Sequence, residues 1–82
     1  MSNRHPEPIT VTIIADGEDA LRLFRRVRCA ARALHLDVII EEHGSRGKPA
    51  QVKIANDPLF EGLQRTEDIE QFFKDWSASH QK

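Results

Sequence analysis

Apolar residues follow two rhythms along this chain, a period of two and a period near three and a half, and the switches between them mark its elements. Ile9-Thr10-Val11-Thr12-Ile13-Ile14-Ala15 has β-branched residues at almost every position, which disfavours a helix and predicts a largely buried strand. Asp16-Gly17 ends that strand. Glu18 and Asp19 follow as acids suited to the first turn of a helix, where they meet the positive end of its dipole. From about 18 to 35, Ala20, Leu23, Phe24, Val27, Ala31 and Leu34 recur at three and four residues, one stripe to be buried against a sheet, with Cys29 and Ala30 beside it or just off it. Residues 36–42 read as a second strand, and the intervening helix fits a crossover that makes the two strands parallel.

Residues 43–48 form a polar, glycine-punctuated loop too short for a helix, so the chain must turn back quickly. In residues 50–54, Val52 and Ile54 share one face and Gln51 and Lys53 the other, the half-exposed pattern of an edge or outer strand. A turn at Ala55-Asn56-Asp57-Pro58 leads into Leu59-Phe60-Glu61, which predicts a hairpin. Thr66 can cap a last helix with Glu67 and Asp68 in its first turn and Ile69, Phe72, Phe73 and Trp76 as its stripe. In so small a domain that aromatic area is read as core, because it must offset chain entropy. The expected fold is α/β, order β-α-β-β-β-α, a mixed four-stranded sheet with two helices. Residues 1–8 and 77–82 are expected to be flexible tails around a domain at 9–76.

Length and charge narrow the function classes. Eighty-two residues allow one domain with a small core. Twelve basic and thirteen acidic residues leave a net charge of −1, no global field to draw the chain to nucleic acid or an anionic membrane. The first residues lack a signal-peptide pattern and no apolar run approaches membrane-spanning length, so a cytoplasmic location is expected. The single cysteine, Cys29, excludes an intrachain disulfide and a multi-thiolate metal site, and its place in the helix reads as a buried structural thiol.

Few side chains suggest chemistry. Arg22, Arg25, Arg28 and Arg32 fall on a band of the first helix opposite much of its apolar stripe, able to meet phosphate or an acidic partner or simply to be solvated, with Glu18 four residues before Arg22. The four histidines are scattered without metal-ligand spacing. Glu41, Glu42 and His43 are adjacent, but consecutive strand residues point to opposite faces. Gly44-Ser45-Arg46-Gly47-Lys48 matches a phosphate loop only loosely, since Pro49 stands where a hydroxyl and a helix start would be needed.

Over residues 9–76 this order resembles a truncated thioredoxin or glutaredoxin fold. In that family a Gly-Cys-x-x-Cys stretch follows the first strand, and a Thr-Pro or Ser-Pro step with a cis bond begins the third. The matching residues here are Gly17-Glu18-Asp19-Ala20-Leu21 and Lys48-Pro49-Ala50-Gln51-Val52. Both cysteine positions are lost, to Glu18 and Leu21, and thiol-disulfide exchange is lost with them because it requires a thiolate. The resemblance implies a contact surface joining Gly17, Glu18 and Asp19 to Lys48, Pro49 and Gln51. A cis bond at Pro49 would expose backbone groups to an extended peptide or to glutathione; alternatively Pro49 only shapes an edge and ends a loop. The expectation is a redox-inactive, non-enzymatic protein-interaction or adaptor module without a cofactor. Two other readings stand beside it: a glutathione- or small-ligand-binding protein or enzyme using the Pro49 groove through Lys48, Gln51 or the proline backbone, and a structural homodimer whose edge strand or aromatic helix pairs with its copy.

Overall fold

The computed structural model describes residues 8–80. Its elements run β1 (Ile9–Ile14), α1 (Gly17–Ala33), β2 (Val38–His43), β3 (Gln51–Ile54), β4 (Asp57–Glu61) and α2 (Thr66–His80). They form the expected β-α-β-β-β-α order around one four-stranded mixed sheet, spatial order β2-β1-β3-β4. β1 and β2 are parallel, while β3 is antiparallel to both β1 and β4. This is a thioredoxin-like topology reduced to two helices.

Alternation along the strands builds a single core. Val11, Ile13, Val52 and Ile54 are fully buried, and they meet Leu23, Val27 and Ala30 of α1 and Ile69 and Phe73 of α2. The helices also pack on each other, so both cover the same side of the sheet. Thr10, Thr12, Ile14, Gln51 and Lys53, on the alternate positions, are only half-buried. Ala30, which the sequence pattern put at the margin of the stripe, is fully buried, whereas Phe72 and Trp76 are half-buried at the edge of the core. The Phe72 ring stacks on Phe60 with centroids 5.2 Å apart.

Three local features depart from the sequence expectation. The hairpin turn is only Ala55-Asn56, both at positive φ (49° and 73°), the requirement of a two-residue type I′ loop. Asp57 and Pro58 therefore belong to β4, where an outer strand tolerates a residue without an N–H. α1 ends at Ala33 with His35 at φ 56°; the Leu36 N–H donates to the Ala31 carbonyl and the His35 N–H to that of Arg32, a Schellman closure with histidine where glycine is usual. α2 continues to His80, so Ser77 to Ser79 are helical rather than part of a tail. Of the expected tails, residues 1–7 and 81–82 lie outside the described residues.

Cys29 is exposed, not a buried structural thiol. The neighbours Ala30 and Ala31 take the core positions, and one residue back along a helix turns the side chain about 100° toward solvent.

Candidate functional site

The parallel strands β1 and β2 end at the same rim of the sheet, and the loop after β2 must cross that rim to enter β3. A single side chain arranges the crossing. Asp16, the residue between β1 and α1, stands at the N-cap position but makes no side-chain bond to its own helix. Its carboxylate reaches across to the loop instead. Oδ1 accepts the Ser45 N–H at 2.8 Å and the Arg46 N–H at 3.2 Å; Oδ2 accepts the Ser45 hydroxyl and the Gly47 N–H, each at 2.9 Å.

The loop backbone is shaped to offer those donors. Arg46 and Gly47 both have positive φ (55° and 84°), and the Lys48 N–H closes on the Ser45 carbonyl at 3.1 Å, the pattern of a type I′ turn. Successive amides in such a turn converge on one point and make a concave anion-binding nest. Here the protein's own carboxylate fills it. The Gly47 N–H, the Ser45 hydroxyl, the Ser45 N–H and the Arg46 N–H, in that order, hold the Asp16 carboxyl at about 2 against an ordinary 3.8, with desolvation opposing them. Ser45 is buried by the arrangement. Gly17 adopts φ +56°, a conformation that a side chain would strain, and this swings the chain from β1 into α1.

Beside the locked loop lies a cleft of about 350 Å³. Ile14 and Pro49 provide its apolar surface, Arg46 and Lys48 two cations, and Gln51 and Glu61 its far side. Gln51 Nε2 donates to Glu61 Oε2 at 3.2 Å, across the β3–β4 pair in which these residues are register partners. The cleft thus gathers Lys48, Pro49 and Gln51 from the surface expected on sequence grounds. Gly17, Glu18 and Asp19 are exposed at the start of α1 and do not line it. Arg46, Ser45 and Glu61 do, and the signal that could have found Ser45 was the short polar residue opposite an acid that follows a strand.

Among the described residues no peptide bond is cis, so of the two alternatives left open for Pro49 the cis bond is not the one found, and the Lys48-Pro49 bond is trans. Two successive residues at positive φ already reverse the chain before Pro49, and the trans isomer is favoured by roughly 0.5 to 1 kcal/mol when nothing demands the other.

The arginines of α1 divide among several tasks. Arg22, Arg25, Arg28 and Arg32 are all exposed, as the band predicted. Arg22 pairs with Glu18 at 3.6 Å, and the Arg28 guanidinium lies 5.7 Å from the centre of the Phe24 ring. Arg26 is different: it is half-buried and donates to the Leu63 and Gln64 carbonyls at 3.4 and 3.0 Å, tying α1 to the segment that enters α2. On β2, His43 Nε2 is 4.0 Å from Glu41 Oε1, both exposed. Among the described residues no group of three or more His, Cys, Asp or Glu side chains could hold a metal ion, and no helix is long and apolar enough to cross a membrane.

No protein-family model, curated protein or solved structure matches this chain. The thioredoxin-like description accordingly rests on topology, and the correspondence of Glu18 and Leu21 to a lost cysteine pair is open to direct test. Both side chains are exposed in the first turns of α1, at i and i+3, where helix geometry brings them to one face. The double variant Glu18→Cys, Leu21→Cys is expected to form an intrachain disulfide on mild oxidation while keeping a cooperative unfolding transition. Three free thiols, Cys29 included, persisting in the folded, oxidant-treated monomer would reject the correspondence.

Proposed function

We propose that this protein is a non-catalytic protein-interaction module that takes an extended acidic segment of a partner chain in the cleft between the 44–49 loop and the β3–β4 ends. The observation that carries the reading is the Asp16 lock. By consuming the donors of the loop internally, it holds the segment bearing Arg46 and Lys48 in one conformation before any ligand arrives, and preorganisation lowers the entropic cost of binding. Two cations beside an apolar surface from Ile14 and Pro49 suit carboxylates spaced along an extended chain, while Gln51 offers an amide to a peptide backbone. The single cysteine supplies no dithiol, consistent with binding rather than exchange.

Amide chemical-shift mapping with a Glu-rich octapeptide, a Lys-rich octapeptide and glutathione tests the proposal. The acidic peptide is expected to move resonances of residues 45–51 and 61, and Lys48→Glu to weaken it about tenfold or more. Equal responses to both peptides, or none at millimolar concentration, would overturn it. A response to glutathione alone would favour a small-ligand site.

A further inference from the structure

The two outer strands of the sheet are built differently. β4 is blunted: Asp57, Pro58 and Glu61 are exposed, Pro58 has no N–H, and an irregularity between Val52 and Lys53 breaks the register with β3. These are the devices that keep a sheet edge from pairing. β2 lacks the proline and the register break, although it too carries exposed charges at Glu41, Glu42 and His43. It keeps unbroken register with β1 from Val38 to His43, contains no proline, and leaves Ile39 50% exposed.

The backbone of β2 is also poised. The Ile9 N–H donates to the Asp37 carbonyl and the Ala15 N–H to the His43 carbonyl, so by the alternation of a parallel ladder residues 37, 39, 41 and 43 turn their groups toward β1. Val38, Ile40 and Glu42 turn theirs outward.

We propose that β2 is a self-pairing edge, through which two copies of this chain join antiparallel about a two-fold axis at Ile40. Charge selects that register. Centring on Glu41 would set two carboxylates opposite each other, and centring on Ile39 would set Glu41 opposite Asp37; like charges directly opposite are destabilising. Centring on Ile40 instead places Val38 opposite Glu42, Ile39 opposite Glu41 and Asp37 opposite His43 of the second copy. It also makes outward-facing residues the hydrogen-bonded pairs.

Arg28, Arg32 and His35 surround the start of β2, lining with Asp37 and Val38 a cleft of about 320 Å³. Glu42 is exposed and has the same parity as Val38 and Ile40, so it lies on the helix side of the sheet. In the pair, Glu42 of each copy comes to the mouth of the other copy's arginine-lined cleft. A short strand pair with flanking charges sits at the small end of specific interfaces, about 1,000 Å², and the dimer forms as concentration rises. It uses the strand farthest from β4 and is independent of the cleft reading above.

Sedimentation of the full chain from about 10 μM to about 1 mM tests it. The mass is expected to climb from 9.4 kDa toward twice that value. Glu42→Arg and Arg32→Glu should each weaken association about tenfold, and the two together should restore it to within about threefold. Amide exchange at Val38, Ile40 and Glu42 should slow with concentration. A single monomeric species throughout, an association indifferent to both charge reversals, or protection at those amides that ignores concentration would overturn the proposal.

Discussion

Phe73→Ala is expected to destabilise the domain by about 3 to 5 kcal/mol, the cost of removing a fully enclosed aromatic ring and leaving a cavity. Phe73 is the largest of the fully buried side chains, packed where α2 meets the sheet and α1. A chain of this size holds only about 4 to 12 kcal/mol of net stability, so the substitution should remove a large share of it. Its neighbour provides the control. Phe72 is half-buried and stacks on Phe60 at the rim, so Phe72→Ala should cost about 1 to 2 kcal/mol, since part of its area is already in water. Chemical denaturation of both variants decides the matter; equal shifts in midpoint would mean that α2 is rotated from the orientation described.

Asp16→Ala should release the loop while leaving most of the core intact. Four donors from residues 45 to 47 lose their common acceptor at once, and two of the residues there hold positive φ without further restraint from that carboxylate. Amide exchange at Ser45, Arg46 and Gly47 is expected to accelerate about tenfold or more, while Val11, Ile13 and Val52 keep their protection. Binding in the adjacent cleft should weaken in parallel. Asp16→Asn is the sharper variant, because an amide retains one acceptor oxygen and places an N–H₂ group against the remaining donors.

The same bonds make the lock pH-dependent in a definite direction. Because the folded carboxyl titrates near 2 rather than at 3.8, the stabilisation is complete above the ordinary value and is lost as pH falls from 3.8 through about 2. The amide proton shifts of residues 45 to 47 should therefore titrate with a midpoint near 2 in the native chain and show no such step in Asp16→Ala. A midpoint near 3.8 would mean that the four donors do not act on Asp16 in solution.

Period and propensity made most of the fold readable. The β-branched run at Ile9–Ile14, the stripe from Ala20 to Leu34 and the alternation of Val52 and Ile54 report burial directly, because each side chain's direction is set by the local backbone geometry. Where three-dimensional neighbours decide, the pattern was a weaker guide. Cys29 and Ala30 are adjacent and both small, and only the packed orientation of α1 tells that one faces solvent and the other the core. Lys48, Pro49 and Gln51 came from the resemblance to a thioredoxin-like fold, which joined them to Gly17, Glu18 and Asp19, whereas of these six only the first three line the cleft. Glu61 joined them only through pairing of β4 with β3.

Asp16 shows the division most clearly. In the sequence it is an acid at the end of a strand and before a helix, and local rules assign it to the helix N-terminus. Its actual partners lie about thirty positions away, brought near because parallel β1 and β2 end at the same rim. The sequence by itself determined the kinds and order of elements, their buried faces and the lack of a dithiol, since these depend on composition and on interactions within a few residues. The tertiary structure alone decided that the acid locks the loop, that Pro49 is reached through a trans bond, that the first helix contributes no lining to the cleft, and that β2 offers a bare edge while β4 is blunted. Those outcomes depend on which distant segments the sheet order sets side by side, and spacing along the chain does not encode that proximity.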